Sequence, residues 1–302
     1  MIELEGVSKY YHTGDIISMG LHNISLKLQS NEIVAIIGES GSGKSTLLNV
    51  ITKLDTFDEG EIYYKGNETS YFSLSDMDDF RKNKIGFIFQ NSNIIDSYTV
   101  LENVMLPLVL TGLDNKEAKK KALELIDKVG LSHRISSRGT KLSGGEKQRC
   151  VIARALASNC EILACDEPTG NLDSKTGEDI IKLIKEVAKD KLVLIVTHNY
   201  DQVKDIVTRK IRVADGQIVE DEVIKKIEED KKEELNLDYK PLSKRVCAKI
   251  AKNNAVFTPK KTTLLSFIFL AICLGSLFLF QSIFNSSITT SKAYPNTSPN
   301  HG

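Results

Sequence analysis

Three short stretches of this chain carry residue types whose spacing suits chemistry on phosphate. In "GESGSGKST", Gly38, Gly43, Lys44 and Ser45 fit the pattern G-x-x-x-x-G-K-[ST]. Glycine allows positive φ and close backbone approach, so successive N–H groups can point at phosphate oxygens. Lys44 is then placed to reach the β- and γ-phosphates, and Ser45 to ligate Mg2+. "EILACDEPTG" ends an apolar run on two adjacent acids, Asp166 and Glu167. Asp166 can hold Mg2+ through water, and Glu167 can polarise an attacking water. "KLSGGEKQRCVIARALAS" sets Ser143, Gly144 and Gly145 ahead of a helical run. A helix N-terminus offers unpaired N–H groups and a positive dipole end, so it is a second place for a phosphate. One nucleotide does not need two such cradles from one chain, so the second is expected to serve the nucleotide of another subunit. Taken alone, Ser143 reads equally well as an ordinary N-cap.

These residues need a frame. "NEIVAIIG" reads as a buried strand and "KSTLLNVITKL" as a helix by its apolar spacing, which gives the glycine loop a strand–loop–helix setting. The strand ending at Asp166 is expected to lie beside the loop's own strand in a parallel sheet, because such sheets bind ligands at the carboxyl ends of their strands. Cys165 reads as a small buried hydrophobe. In "NKEAKKKALELIDKVG", Ala118, Ala122, Leu125, Ile126 and Val129 repeat at helical spacing. The start, "MIELEGVSKYY", alternates like a strand and is acidic, unlike a signal peptide.

Composition narrows the classes. The 302 residues carry 40 basic and 40 acidic side chains, so the global positive field usual in a nucleic-acid binder is absent. The five cysteines include no C-x-x-C pair, which argues against a zinc site or a disulfide framework and fits a reduced setting. From Glu220 to Lys240 the chain is dense in mixed charge and reads as a solvated helix, with the linker proper at 223–240. Residues 264–284, "LLSFIFLAICLGSLFLFQSIF", carry no charge, and at 1.5 Å per residue a helix there spans about 30 Å, the hydrocarbon thickness of a bilayer. Lys244, Arg245, Lys249, Lys252, Lys260 and Lys261 precede this stretch and only Lys292 follows it, which places residues 1–263 on the cytoplasmic side. Residues 241–263 read as a basic amphipathic segment on the inner membrane surface, and 285–302 as a short polar extracytoplasmic tail.

Together the motifs resemble an ATP-binding cassette (ABC) transporter ATPase. "LSGGEKQR" is similar to the family signature and stands between the glycine loop and the "DEP" strand, as the family requires. The resemblance covers residues 1–222. It implies an α/β fold of the P-loop NTPase type, with a parallel-sheet core, an antiparallel β part and a helical subdomain at about 91–159; the transmembrane helix follows at the C-terminal side. It implies ATP hydrolysis with Mg2+. Gly38, Glu39, Ser40, Gly41, Ser42, Gly43, Lys44, Ser45 and Thr46 are then the phosphate-binding residues. Ser45, Asp166 and Gln90 hold the metal, with Gln90 as the Q-loop glutamine. Glu167 is the catalytic carboxylate and His198 the switch histidine. Asp173, in "GNLD", belongs to the D-loop. Tyr11 or its neighbour Tyr10 stacks on adenine. Ser143, Gly144, Gly145 and Glu146 act in trans, on the ATP of a second copy in a head-to-tail homodimer.

"TVLENVMLPL" and "DEPTGNLD" are similar to the macrolide-exporter and lipoprotein-releasing branch, although Glu39 stands where that branch carries serine. That branch implies export or extraction of a substrate, with permease helices in a longer chain or a separate subunit. The alternative is ATP-driven motion passed through the membrane to a cell-wall hydrolase or a sensor.

Overall fold

A computed structural model describes residues 1–14, 16–91, 93–226 and 274–276. The chain opens with a long antiparallel hairpin, β1 (Ile2–Thr13) and β2 (Ile16–Leu28). β3 (Ile33–Ile37) follows, then the glycine loop and helix α1 (Lys44–Ile51). A short hairpin, β4 (Glu59–Tyr64) and β5 (Asn67–Glu68), and helix α2 (Leu74–Lys84) lead to β6 (Ile85–Ile88). Helices α3 (Val100–Leu110), α4 (Asn115–Lys128) and α5 (Gly144–Ala157) precede β7 (Ile162–Asp166). Helix α6 (Ser174–Val187), β8 (Leu192–Val196) and the hairpin β9 (Arg209–Ala214) with β10 (Gln217–Val223) come last.

The strands form two sheets. An antiparallel sheet has the order β2-β1-β4-β5, and a larger sheet the order β10-β9-β3-β8-β7-β6. In the larger sheet β9, β3, β8, β7 and β6 are parallel, and only β10 is antiparallel. The apolar runs are strands buried on both faces, as parallel sheets covered on two sides require. Their side chains divide with a period of two. Leu192, Leu194 and Val196 of β8 join the cluster that holds β1, β2 and α1, whereas Val193 and Ile195 join the cluster that holds α3 to α6. β7 divides likewise, and Cys165 fills the helical side as a buried apolar group whose thiol pKa burial pushes up. The helical stripe expected in "NKEAKKKALELIDKVG" is α4, which buries Ala118, Ala122 and Ile126.

Two expectations are corrected. β7 does not lie beside β3; β8 stands between them. After β3 the chain leaves for the far edge at β6 and returns inward through β7, so the last of these strands takes the central slot. β8 suits that slot because all five of its residues are buried and apolar. Second, Glu220, Asp221 and Glu222 do not begin a charged helix. They belong to β10, where their carboxylates pair across the hairpin with Arg209 and Lys210. The backbone N–H groups of Ile224 and Lys225 still donate to the Thr208 carbonyl, so this unit is hydrogen-bonded through Lys225. Among the described residues no helix is long and apolar enough to cross a membrane. The expected linker beyond residue 226, the amphipathic segment 241–263, the span 264–284 (save 274–276) and the tail lie outside the described residues.

One buried cation bears on stability. Lys53 closes α1 in the left-handed region, with φ +59°, and its side chain turns inward until the residue is 2% exposed. Its Nζ donates to the Thr69 carbonyl at 3.3 Å and lies 5.0 Å from the Phe57 ring centroid; no carboxylate pairs with it among the described residues. Burial therefore lowers its pKa to about 8 from the ordinary 10.5. Between these two values the unfolded chain holds the extra proton, so stability rises with pH through that window. In Lys53→Met this dependence vanishes. Urea titrations at about pH 7.5 and about pH 10.5 should show the stability difference between parent and variant moving in the parent's favour, by at most about 3 kcal/mol. A difference that does not move with pH contradicts the assignment.

Candidate nucleotide site

The loop between β3 and α1 is shaped by its glycines. Gly38 has φ +153° and Gly43 φ +103°. A Cβ on Gly38 would sit 2.2 Å from the Val213 carbonyl oxygen, and one on Gly43 2.5 Å from that of Gly20. The loop thus lies flush on the β9–β10 and β1–β2 hairpins, where only glycine fits. Gly41 has φ +80°, but a Cβ there would meet nothing within 4 Å among the described residues, so its requirement is conformational alone. Lys44 is buried, and its Nζ curls back to the Glu39 carbonyl at 2.5 Å, across the mouth of the loop. The Ser42 hydroxyl is buried with no hydrogen-bond partner among the described residues. A buried cation, an orphaned hydroxyl and a helix N-terminus converging on one loop make a cradle for an anion.

Of the two adjacent tyrosines, Tyr11 is the one turned to this loop. Its hydroxyl donates to Asp55 at 2.9 Å and reaches Thr46 Oγ1 at 3.5 Å, and Lys9 Nζ lies 5.4 Å from its ring centroid. A Cβ on Gly20 would meet the Tyr11 ring at 2.6 Å, so that glycine leaves the ring its place. Tyr10 turns elsewhere, with its N–H on Asp58 and its hydroxyl on Glu59.

β7 and β8 bring the second group to the loop. α1 packs over both strands, and Ser45 Oγ donates to Asp166 Oδ1 at 3.3 Å across the intervening β8. Burial raises the Asp166 pKa, the Ser45 hydrogen bond opposes this, the neighbouring Glu167 charge adds to the rise and Lys44 offsets it. Ser45 and Asp166 offer hard oxygen donors, a set that suits Mg2+ rather than a soft metal. At Glu167 the chain turns left-handed, with φ +47°, unusual for a residue with a long side chain. Its N–H donates to the Val196 carbonyl at 2.9 Å. Its Oε1 accepts the backbone N–H of His198 at 3.0 Å and lies 2.9 Å from His198 Nδ1. The carboxylate is largely enclosed while the His198 ring is 70% exposed, so one imidazole edge is held by the acid and the rest faces outward.

The third group stands apart in its bonding. Ser143 caps α5: its Oγ accepts the Glu146 N–H at 3.3 Å, and Glu146 Oε2 accepts the Ser143 N–H at 2.8 Å. That backbone donor, with Arg134 beside it, holds the Glu146 pKa down at about 2. The N-cap reading of Ser143 therefore holds, and the helix end remains exposed. Asp173 caps α6 by accepting the Thr176 N–H at 3.0 Å. Gln90 is packed against Gly170, where a Cβ would lie 3.2 Å from its amide nitrogen.

Sequence reasoning missed the side chains that tie these parts together. Gln148 is 2% exposed and donates to the Pro168 carbonyl at 2.9 Å. Asn171 donates to the Gln90 carbonyl at 3.2 Å, and the Thr169 hydroxyl to Gln202 at 2.7 Å. A polar residue in a helix or turn carries no mark of the backbone group it will meet, so no pattern singled these out.

A phosphate cradle at the carboxyl ends of a parallel sheet, with an acid pair two strands away and a histidine just after the strand between, defines a nucleoside triphosphatase of the strand–glycine loop–helix type. The chain belongs to the ABC transporter family, as an ATP-binding subunit and ATPase: the family profile for "ABC transporter" matches residues 21–170. It is 43% identical over 220 residues to an uncharacterized ABC transporter ATP-binding protein of Methanocaldococcus jannaschii, covering 73% of this chain and 98% of that one. It is 37% identical over 226 residues to the macrolide export ATP-binding/permease protein MacB of Bartonella quintana; the match covers 74% of this chain but 34% of MacB. Among solved structures it is similar to a dimeric ATP-binding cassette in a post-hydrolysis state bound to ADP and Pi, with TM-score 0.70 and 39% identity over 75% of this chain and all of that one.

The glycines of the loop separate two costs. Gly41→Ala forces only a left-handed alanine and should destabilise by about 1 kcal/mol. Gly43→Ala adds a backbone collision and should cost about 3 kcal/mol or more. Urea denaturation of the two variants checks the order; equal losses contradict the contact with Gly20.

Proposed function

We propose that two copies of this cassette sandwich two ATP molecules head to tail and drive export or extraction of a substrate at the cytoplasmic membrane. The observation that carries the reading is the row formed at the strand ends, Lys44 and Ser45 after β3, Asp166 ending β7 with Glu167 next to it, and His198 after β8. The similarity to a dimeric cassette supports the sandwich, and the similarity to MacB supports export.

In this reading the loop's N–H groups and Lys44 hold the β- and γ-phosphates, and Tyr11 stacks on the adenine ring. Ser45 and Asp166, with Gln90, hold Mg2+, whose charge neutralises the phosphate oxygens. Glu167 polarises the water that attacks the γ-phosphate in line with the leaving oxygen. His198, oriented through Nδ1 by Glu167, keeps its far ring edge for the γ-phosphate. The partner's Ser143–Glu146 helix end closes over the same phosphate, so that the γ-phosphate joins the two chains and its loss releases them. Asp173 lies at the joint between them. The membrane part is proposed as the span 264–284, preceded by the linker 223–240 and the basic segment 241–263 and followed by the tail 285–302, with permease helices in a longer chain or a second subunit. The one span proposed within these residues gives two per dimer, too few to shield a pathway from lipid, which is why further helices are assigned to a longer chain or a second subunit.

Glu167→Gln tests the central role. Gln preserves shape and hydrogen bonding and loses the charge. ATP turnover should fall by several powers of ten, about 10³-fold or more, while ATP still binds and the protein accumulates as an ATP-bound dimer. Turnover near the parent rate, measured as phosphate release, overturns the assignment.

A further inference from the structure

The turn that carries Glu167 is held by its own backbone at two points. The Glu167 carbonyl accepts the Gly170 N–H at 3.1 Å, and the Thr169 carbonyl accepts the Leu172 N–H at 3.0 Å. The carbonyl between them, that of Pro168, accepts instead from outside the turn, from the Gln148 side chain at 2.9 Å, in a fully buried hydrogen bond. Gln148 stands five residues after Ser143 on α5, about 7–8 Å along one rigid helix. The same helix is keyed to the far end of the segment. Gly145 lies so close to α6 that a Cβ there would sit 2.6 Å from Thr176 Cγ2, and Thr176 is the residue whose N–H Asp173 caps. α5 is thus hydrogen-bonded near the start of residues 167–173 and packed against Thr176, the residue that Asp173 caps at their end. On its other flank the turn is tied to the segment after β8, through Glu167 to His198 and Thr169 to Gln202.

We propose that Gln148 is a positioning residue, through which α5 sets the Glu167 carboxylate of its own chain when the N-terminus of α5 engages the nucleotide held by the partner. This rests on the roles proposed above for Glu167 and for the Ser143 helix end. A rigid helix hydrogen-bonded to Pro168 and packed against Thr176 gives a short physical path between the two composite sites. Closure at one displaces the Pro168 peptide, and with it the strained residue that precedes it, at the other.

Heterodimers of the full-length chain, one copy carrying Glu167→Gln, test this. Their single hydrolysing site takes its glutamate from the intact copy and its Ser143 from the copy that carries Glu167→Gln. Gln148→Met keeps volume and helix propensity but cannot donate. Placed on the intact copy it should lower kcat by about 10- to 100-fold, with KM for ATP changed by less than about twofold. Placed on the other copy it should leave kcat within about twofold of its starting value. A merely structural role in α5 would be felt from the other copy at least as strongly, because that copy supplies the helix end. Should Gln148→Met not fold, Gln148→Asn, whose amide is too short to reach, is expected to show the same asymmetry. A silent Gln148 variant on the intact copy, or equal effects from both copies, overturns the inference alone. The Glu167→Gln homodimer is the control: if it hydrolyses ATP at the parent rate, the underlying reading falls and the inference with it.

Discussion

The contact between the Glu167 carboxylate and the start of the segment after β8 is the interaction on which the rest of the site depends. It requires a left-handed backbone at a glutamate, a conformation that costs on the order of 1 kcal/mol and persists only where its surroundings enforce it. The surroundings are the Val196 carbonyl that takes the Glu167 N–H, the His198 N–H that binds the carboxylate, and the Gln148 amide on the next carbonyl. Without that turn, the chain after Asp166 would continue the strand's alternation and send its next side chain to a face of the sheet rather than toward the segment after β8.

The enforcing power comes from the sheet. β3, β8 and β7 are packed on both faces, their side chains alternating between two apolar clusters. A slip of one residue in any of them would swap the faces of the whole strand, so the register is strongly fixed. Fixed register places three loops, 38–43, 166–170 and 197–199, at one edge. The intervening β8 is what separates the acid pair Asp166–Glu167 from the loop strand while α1 leans across to rejoin them through Ser45. At that edge Lys44 folds back on the Glu39 carbonyl, and the outer edge of His198 is exposed.

Much of this was legible in the chain itself. The glycine loop, the acid pair and the histidine each end an apolar strand, and apolar runs of five residues bounded by glycine or paired acids identify buried parallel strands. The strand order was not legible, because β7 and β8 are both five-residue, largely apolar runs and nothing local says which lies beside β3. The charges of Glu220 to Glu222 misled for a related reason. A mixed-charge run reads as a solvated helix unless its partners, Arg209 and Lys210 on the facing strand, are known. The tyrosine facing the loop was ambiguous between two neighbours, and the choice is made by a tertiary partner, Asp55. Gln148, Asn171 and Thr169 were invisible because their partners are backbone groups or distant side chains brought near by folding.

The central claim is that a working site needs parts of two chains: the loop and acid pair from one, the Ser143–Gly145 helix end from the other. Complementation tests it most directly. A Lys44→Ala homodimer and a Gly145→Asp homodimer should each be inactive, the first without its phosphate lysine and the second with a carboxylate forced into the helix end and against Thr176. In a heterodimer of the two, one site keeps an intact Lys44 and an intact Gly145. The account predicts that mixing restores ATP turnover to a substantial share of one parent site. Heterodimers shown to form, yet as inactive as either homodimer, would contradict it.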